Sequence, residues 1–314
     1  MDVVFWTLGI VALIIAAIFF ISYYCFYITF FVKRKKGVAN DSVLDLPQGK
    51  DYDVFHDEMA RLATETRNTP YEEFCIKSFD GLSLYGKFYQ YKEGAPIEIM
   101  FHGYRGSAER DMCGGMQRCR ALGRSALIVS QRGSGKSEGN VITFGIKEHR
   151  DCLSWIDFVI KHFGSDVKII LAGISMGAST VLMAAGKPLP QNVVGVLADC
   201  GFSSAKEIIC DVIKKMGIPP KLAYPFVKLG AKIYGGFNLE ETSACEAMKN
   251  ATVPIIFFHG EADGFVPCYM SQRNFDACGS EKKFVTMKDA AHGLCYLVEP
   301  QRYVDSIKEF FKGI

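Results

Sequence analysis

The sequence lacks the cysteine pattern of a protein held together by disulfides or zinc. Its eleven cysteines are an odd number, scattered from Cys25 to Cys295 without a CxxC pair. A disulfide framework uses an even number of cysteines, and structural zinc sites commonly draw ligands from closely spaced pairs. We therefore expect reduced thiols in a cytosolic environment, where disulfides are rare, and no bound metal.

The sequence also lacks a marked excess of charge of either sign. Its 36 basic and 34 acidic residues leave a formal net charge of +2, and nothing in this balance calls for a nucleic-acid partner. The 314 residues, 49% of them hydrophobic, are enough for one or two globular domains with a substantial core.

Charged side chains are absent from one long stretch, residues 3–32. About 20 apolar residues are enough for a helix to cross a bilayer, and this stretch is longer. A secretory signal would begin with basic residues and end at a small-residue cleavage site, whereas here Asp2 comes first and bulky aromatics fill the end. We predict a permanent transmembrane anchor in residues 1–36; the alternative is an apolar helix buried in the globular body.

The residues behind this stretch predict its orientation. Lys33, Arg34, Lys35 and Lys36 form the only basic cluster beside the span, and such clusters stay on the cytoplasmic side. The body would then face the cytosol, in agreement with the free cysteines, and membrane lipid would be a partner through the helix.

The rest of the chain has the pattern of an α/β domain. Residues 37–70 are mostly polar and indicate a juxtamembrane linker with a short amphipathic helix, VFHDEMARLATE. From residue 71 to 314, apolar runs such as PIEIMFHG, SALIVSQ and VKIILAGIS alternate with helical patterns. Such strands are typical of a mostly parallel sheet covered by helices on both faces. Two helical stretches in 203–237, split at Pro219, interrupt the alternation and predict a cap inserted over the sheet.

A nucleophile motif follows one of these strands. After VKIILA come Gly173, Ile174, Ser175, Met176 and Gly177, and then a helical pattern. Gly-x-Ser-x-Gly between a strand and a helix is the nucleophile elbow, a strained turn whose glycines leave room for neighbouring backbone. Ser175 would stand at a helix N-terminus, which favours developing negative charge. It is the candidate nucleophile.

A serine hydroxyl needs a base to take its proton. In the chain order that accompanies this motif the base follows the serine, and only His259 and His292 do so. His259 lies at the end of an apolar strand, where a structural role in the turn is expected. His292 lies in the loop KDAAHGLC before the last helix, and we predict that it is the base.

The carboxylate that orients the base should lie between the serine and the histidine. Asp263, in the loop HGEADGFVP just after a strand, is the predicted acid. Glu261, two residues nearer the strand, and Asp199, at the end of the preceding strand, are its rivals.

An oxyanion hole needs two backbone donors aimed at the substrate carbonyl oxygen. One is predicted to be the N–H of Met176, directly after the nucleophile. We assign the other to the N–H of Tyr104, in the loop FHGYRGS after the third strand. Arg105 in the same loop is either a ligand for a substrate carboxylate or an exposed loop residue.

Residues 130–137, SQRGSGKS, resemble the end of a phosphate-binding loop but do not complete one. The opening glycine of that motif is replaced by Ser130, and EGNVITFG intervenes before the next helical pattern, although the motif must run directly into a helix. We predict no nucleotide binding, tight turns at Gly133 and Gly135, and a role for Arg132 in tying neighbouring loops together.

Five motifs in order, HGYRGS, QRGSGKSEG, GISMGAS, HGEADGFVP and AAHG, resemble those of α/β-hydrolases. The chain from about residue 72 is similar to the serine aminopeptidase and prolyl-oligopeptidase-like group, and to membrane-anchored α/β-hydrolase-domain esterases. The resemblance implies serine-dependent cleavage of esters, thioesters or amides without a metal or organic cofactor. It departs from the group in having no β-propeller segment, so cleavage of long peptides is not supported.

Together these features predict a membrane-anchored serine hydrolase that acts on a small acyl ester, with lipid-derived esters and thioesters among the candidate substrates. Two alternatives are an aminopeptidase or amidase on the same three residues and a non-catalytic membrane-bound binding protein on a hydrolase scaffold. The cap contains six lysines and only two acidic residues. We hypothesise that it supplies an apolar acyl pocket and turns its basic surface toward anionic lipid. The alternative is an ordinary amphipathic cap with a solvated basic face.

Overall fold

The computed structural model describes residues 2–33, 46–112 and 114–313. Its elements alternate between strands and helices after one long N-terminal helix. The described strands are β1 (Glu72–Lys77), β2 (Ser83–Tyr89), β3 (Ile97–Phe101), β4 (Ser125–Val129), β5 (Ile169–Ile174), β6 (Val193–Asp199), β7 (Ile255–Gly260) and β8 (Lys282–Met287). The described helices are α1 (Asp2–Thr29), α2 (Lys50–Asp53), α3 (His56–Asn68), α4 (Ala108–Asp111), α5 (Gly115–Ala121), α6 (Glu148–Phe163), α7 (Met176–Ala185), α8 (Ala205–Lys215), α9 (Pro220–Ile233), α10 (Ala244–Met248), α11 (Tyr269–Ala277), α12 (Cys295–Val298) and α13 (Pro300–Phe310).

The described strands form one sheet in the order β1-β2-β4-β3-β5-β6-β7-β8. Within it β2 is antiparallel to both of its neighbours, and every pair from β4 across to β8 is parallel. The predicted mostly parallel sheet is confirmed. The sequence pattern does not reveal β1, because this edge strand alternates exposed and buried residues and lacks the continuous apolar run of a buried strand.

Helices cover both faces of the sheet, as the apolar strands predict. On β3, Ile97, Ile99 and Phe101 belong to a hydrophobic cluster that also contains residues of α6 and α7. Met100 belongs to a second cluster, which contains residues of α3, α5 and α13. Because successive strand side chains point to opposite faces, a strand that is apolar throughout needs a helical layer on each side.

The pattern AERDMCGGMQRCRALG predicts one helix, but the structure has two short ones, α4 and α5, on either side of Gly114. A Cβ on Gly114 would lie 2.4 Å from the Tyr296 ring, and one on Gly115 would lie 2.7 Å from the Met100 sulfur. The two glycines let this segment approach the sheet closely, and they also weaken a continuous helix.

The N-terminal helix is exposed along most of its length but enters the body at its end. Residues 3–17 are exposed, whereas Ser22 and Phe30 are fully buried and Phe26 is 5% exposed. The helix packs on α9, where a Cβ on Gly230 would lie 2.4 Å from the Ser22 carbonyl oxygen. The alternative of a helix buried throughout is therefore wrong for its first half. Of the basic cluster, Lys33 is described and exposed, while Arg34, Lys35 and Lys36 lie outside the described residues, as do residues 37–45 of the predicted linker.

The turn between β5 and α7 leaves no space for side chains at its two glycines. A Cβ on Gly177 would lie 1.9 Å from the Phe101 carbonyl oxygen, and one on Gly173 would lie 2.2 Å from the Gly177 carbonyl oxygen. Both obstacles are backbone atoms of the sheet or the turn, which cannot move aside cheaply. These glycines let α7 start directly against the carboxyl end of β3.

We expect Gly177→Ala to destabilise the protein, since overpacking of this kind costs about 1–3 kcal/mol or more. At a few degrees per kcal/mol for a domain of this size, Tm in detergent should fall by roughly 5 °C or more. Gly264→Ala is the matched control, because a Cβ there meets nothing within 4 Å. Equal Tm values for the two variants would contradict the close approach.

Candidate active site

Ser175 occupies a strained turn at the carboxyl edge of the sheet. Its backbone has φ 56° and ψ −119°, a left-handed conformation that is uncommon for a residue with a side chain. The Ser175 N–H donates to the Asp199 carbonyl oxygen at 2.8 Å, which fixes the turn against the end of β6. Ser175 directly precedes α7, so its hydroxyl stands at a helix N-terminus, as the motif predicts.

The structure brings the three predicted triad side chains together. The Ser175 Oγ lies 3.0 Å from Nε2 of His292, and Nδ1 of the same ring lies 2.7 Å from Oδ2 of Asp263. His292 comes from the loop after β8, and Asp263 comes from the loop after β7. Parallel strands place both loops at the same edge of the sheet as Ser175, so residues far apart in sequence form one continuous chain of hydrogen bonds.

Asp263 is held by donors on both of its oxygens. Oδ1 accepts the backbone N–H groups of Phe265 and Val266, each at 2.8 Å, and Oδ2 faces His292. Nε2 of His259 lies 3.3 Å from the same Oδ2. Burial alone would raise the pKa of Asp263, but hydrogen bonds from His259 and His292 outweigh it and hold the pKa well below its ordinary value. Asp263 is therefore a fixed negative charge next to His292.

The rival acids lie elsewhere. Glu261 accepts from the Thr286 hydroxyl at 2.6 Å on the exposed surface. Asp199 is buried and accepts from the Tyr303 hydroxyl at 3.0 Å, and burial raises its pKa. Neither carboxyl group has a hydrogen bond to His292 in the described structure, which leaves Asp263 as the partner of that ring.

His259 has the structural position expected for it, with one addition. Its ring is fully buried, with Nδ1 2.7 Å from the Ser271 hydroxyl and Nε2 2.9 Å from the Val266 carbonyl oxygen. The same Nε2 also approaches Asp263, so this histidine braces the loop that carries the acid. Sequence reasoning missed that contact, although the four-residue spacing between His259 and Asp263 is a signal for it.

The two predicted oxyanion donors lie on either side of Ser175. Met176 is the first residue of α7, where a helix N–H has no intrahelical partner. A Cβ on Gly103, the residue before Tyr104, would lie 3.4 Å from the Ser175 Cβ, so the loop after β3 passes directly over the serine. Among the described residues, the N–H groups of Tyr104 and Met176 have no hydrogen-bond acceptor.

A cavity of about 190 Å³ opens beside Ser175 and His292. Its lining includes Met112, Ile174, Leu197 and Leu294, with Arg118, Asp199 and Tyr303 among its polar members. None of the described residues that line it comes from 203–237, so this cavity gives no support to the hypothesis that the cap supplies an apolar acyl pocket. Buried apolar side chains of the cap, such as Ile208, Ile213 and Val227, belong to the cluster that contains Phe26 and Phe30 of α1, whereas Leu222 is exposed.

Part of the cavity wall comes from the segment predicted to be a spacer. Pro47, Tyr52 and Met59 line the cavity, and the Tyr52 hydroxyl donates to the His292 carbonyl oxygen at 3.0 Å. Sequence reasoning missed these residues. The helical spacing of Phe55, Met59 and Leu62 is the signal that this segment packs on the domain.

One cluster among the described residues has the composition of a metal site. The ligand atoms of Cys200, Asp263 and His292 lie within 4.8 Å of one another. Both ring nitrogens of His292 already face Ser175 and Asp263, and burial raises the pKa of Cys200 well above its ordinary value. A protonated thiol is a poor metal ligand, so these residues fit a hydrogen-bonded triad better than a metal.

The loop that resembles a phosphate-binding sequence forms tight turns, as expected. Gly133 and Gly135 have φ values of 76° and 52°. The Arg132 guanidinium is buried and pairs with Asp151 at 2.7 Å and with Asp80 at 3.1 Å. Arg132 therefore joins the loop to α6 and to the turn between β1 and β2.

No protein-family model matches this chain. Among curated proteins it is similar to the uncharacterized protein YqkD of Bacillus subtilis, 24% identical over 195 residues that cover 62% of this chain and 64% of the relative. It is also similar to the uncharacterized membrane protein YNL320W of Saccharomyces cerevisiae, 28% identical over 169 residues that cover 52% of each chain. The chain thus spans less than two thirds of the length of either relative.

Among solved structures the chain is similar to the Pyrococcus furiosus esterase Pf2001, with a TM-score of 0.62 and 18% identity over 88% of this chain and 97% of that one. It is also similar to the acylaminoacyl peptidase of Pyrococcus horikoshii, with a TM-score of 0.57 and 20% identity over 80% of this chain and 42% of that one. At such identities the likeness shows the fold. The chain is therefore an α/β-hydrolase-fold protein, as its five motifs predict.

Proposed function

We propose that this protein is a membrane-anchored serine hydrolase that cleaves carboxylic esters or thioesters of small acyl groups. The observation that carries the proposal is the hydrogen-bonded chain from Ser175 through His292 to Asp263, with spacings of 3.0 Å and 2.7 Å. The esterases among the structural neighbours support the same reaction class. The chemistry follows from the positions of these groups.

His292 Nε2 takes the proton of the Ser175 hydroxyl while its oxygen attacks the carbonyl carbon of the ester. The carbonyl oxygen becomes an oxyanion, which accepts hydrogen bonds from the N–H groups of Tyr104 and Met176. The C–O bond to the alcohol then breaks, His292 returns the proton to the alcohol, and an acyl-serine remains. A water molecule, deprotonated by His292, attacks this acyl-serine and releases the acid, which restores the serine.

The cavity size supports a small acyl group. At about 190 Å³ it is below the range of about 300–1,000 Å³ that is usual for drug-sized ligands. Its largely apolar wall beside Ser175 suits a short hydrocarbon chain. A long fatty acyl chain would have to extend beyond it.

Membrane attachment is proposed from α1. Residues 3–29 are long and apolar enough to span a bilayer, and one yeast relative is named a membrane protein. The burial of Phe26 and Phe30 in the body supports retention of the helix, because cleavage behind it would remove core side chains. We propose that Lys33 and the three basic residues after it keep the body in the cytosol.

Ser175→Ala should abolish both ester hydrolysis and labelling by a fluorophosphonate probe, because Ser175 is the only serine or threonine among the described residues that line the cavity. By comparison with other serine hydrolases, turnover should fall by at least about 10⁴-fold. Ser154→Ala, at a partly exposed serine of α6, is the control and should label like the wild type. Equal labelling of wild type and Ser175→Ala would refute the nucleophile.

Hydrolysis of p-nitrophenyl esters should be fastest for acyl chains of about four to six carbons and slow for sixteen, given the small cavity. Met59→Ala enlarges the cavity and should shift the optimum to longer chains. Met216→Ala changes an exposed residue of the cap and should leave the optimum in place. A shift with the cap variant alone would locate the acyl pocket elsewhere.

The same assay separates the aminopeptidase alternative. An aminopeptidase would cleave aminoacyl anilides and lose that activity when the amino group is acetylated. We expect the esters to be the better substrates and acetylation to have little effect. Strong dependence on a free amino group would contradict the esterase proposal.

Asp263→Asn should lower turnover by about 10⁴-fold, as removal of the orienting charge does in related triads. It should also change the dependence of stability on pH. Because the folded state lowers the pKa of Asp263, its ionised form stabilises the fold above the unfolded pKa of about 3.9, and this contribution is lost as the pH falls below that value. Denaturant unfolding should therefore show the largest difference between wild type and variant near neutral pH and a shrinking one below about pH 4. A difference that stays constant down to pH 2.5 would contradict a lowered pKa.

A further inference from the structure

The end of the N-terminal helix is bonded to the loop that carries Tyr104. We call residues 102–107 the oxyanion loop. The Tyr104 hydroxyl donates to the Thr29 carbonyl oxygen at 2.7 Å. The Arg105 guanidinium donates from Nη2 to the carbonyl oxygens of Ile28 at 2.9 Å and Phe31 at 3.1 Å. Ile28 and Thr29 are the last two residues of α1 and Phe31 follows it, so these carbonyl groups lack intrahelical donors, and the C-terminal end of a helix favours a cation.

The C-terminal end of α1 is packed into the body of the protein. The ring of Phe30 is fully buried and lies edge-on to the rings of Phe144, at 5.8 Å, and Phe237, at 5.3 Å. The Ile142 N–H donates to the Phe30 carbonyl oxygen at 2.8 Å, and the Val32 N–H donates to the Asn140 carbonyl oxygen at 2.8 Å. Directly after α1, the chain therefore pairs with residues 140–142 of the domain in a short β-bridge.

The tip of the oxyanion loop is hydrogen-bonded to this helix end, and it also packs on the body through the Tyr104 ring, whose centroid lies 5.0 Å from that of Phe144. The two ends of the loop are held elsewhere, since the Gly103 N–H donates to Asp111 at 2.8 Å and the Ser134 hydroxyl donates to the Gly106 carbonyl oxygen at 3.0 Å. At the tip, Arg105 has φ 50°, a conformation that persists only when surrounding contacts impose it.

A second cavity lies between the loop and the exit of α1. Its volume is about 280 Å³, and Phe31, Lys33, Gly103, Arg105 and Met176 are among its lining residues. This cavity separates part of the loop from the body. Arg105 lines it and bonds to the helix carbonyls from the loop side.

We propose that the last turn of α1 positions the oxyanion hole, with Arg105 and the Tyr104 side chain as positioning residues. The helix is then a part of the catalytic domain as well as a membrane anchor. This inference rests on the proposed function, because it concerns the donor assigned to Tyr104. Arg105 is an exposed loop residue, one of the two alternatives that the sequence leaves open, and the proposal gives its guanidinium a positioning role.

The test uses full-length protein in detergent with p-nitrophenyl butyrate as substrate. Arg105→Gln removes the charged fork and Tyr104→Phe removes one hydroxyl, while the backbone N–H groups stay. We expect each to lower kcat by about 10- to 100-fold, below the 10²–10³-fold cost of losing a donor altogether, with KM changed less than about twofold. Inhibition by a trifluoromethyl ketone, which forms an oxyanion on the serine, should weaken in parallel. Arg105→Lys should restore part of the activity.

Tyr234→Phe is the matched control. The Tyr234 hydroxyl also donates to α1, at the Phe19 carbonyl oxygen at 3.2 Å, but it does not touch the oxyanion loop. Tyr234→Phe should leave kcat unchanged. Tm should change by less than about 2 °C in Arg105→Gln, Tyr104→Phe and Tyr234→Phe.

Two results would overturn the inference. A wild-type kcat in Arg105→Gln and Tyr104→Phe would show that the contacts do not affect catalysis. A loss of kcat that is accompanied by a loss of Tm, or that also occurs in Tyr234→Phe, would show a general structural role. Failure of the proposed function is distinguishable from either result, since the wild type itself would then neither hydrolyse the ester nor react with a fluorophosphonate.

Discussion

The left-handed backbone of Ser175 is the constraint on which the rest of the candidate site depends. A φ of 56° holds the hydroxyl clear of both the strand and the helix. This turn also requires the backbone before and after Ser175 to lie in direct contact with neighbouring backbone. Gly173 and Gly177 provide that space, and the parallel pairing of β3, β5 and β6 provides the surroundings that impose the strain. The loops after β3, β7 and β8 then have one place to converge, which is the edge where Ser175 stands.

Asp263 supplies a buried negative charge at the edge where these loops converge. A buried carboxylate is costly unless donors surround it, and here two backbone N–H groups and two imidazole rings do so. The same donors fix the direction of Oδ2, which in turn fixes the ring of His292 relative to Ser175. Stability and the proposed chemistry therefore rest on one set of contacts, with His259 as the buried brace behind them.

The sequence is sufficient to predict those features that local patterns encode. The apolar strands, the Gly-x-Ser-x-Gly turn and the order of Ser175, Asp263 and His292 each have a short-range signature, so the fold class and the residues that meet at the site could be predicted. Their catalytic roles stay a prediction. The edge strand β1 was missed because it lacks a continuous apolar run, and the break at Gly114 was missed because the helical pattern continues on both sides of the glycines.

Contacts between distant segments had no such signature. Three such contacts join residues from about 75 to 240 positions apart. They are the packing of Phe30 between Phe144 and Phe237, the hydrogen bonds from Tyr104 and Arg105 to the helix carbonyls, and the hydrogen bond from Tyr52 to His292. Their side chains are unremarkable in sequence, and only the folded arrangement shows that the predicted anchor is bonded to the loop that carries Tyr104 and that the predicted spacer lines the cavity. The most direct test of the central claim is mass spectrometry of the acid-quenched protein during turnover of a short acyl ester. An acyl group on the peptide that contains Ser175 is the predicted result; turnover with the acyl group on another residue, or with none on Ser175 under conditions that trap acyl-enzymes, would contradict it.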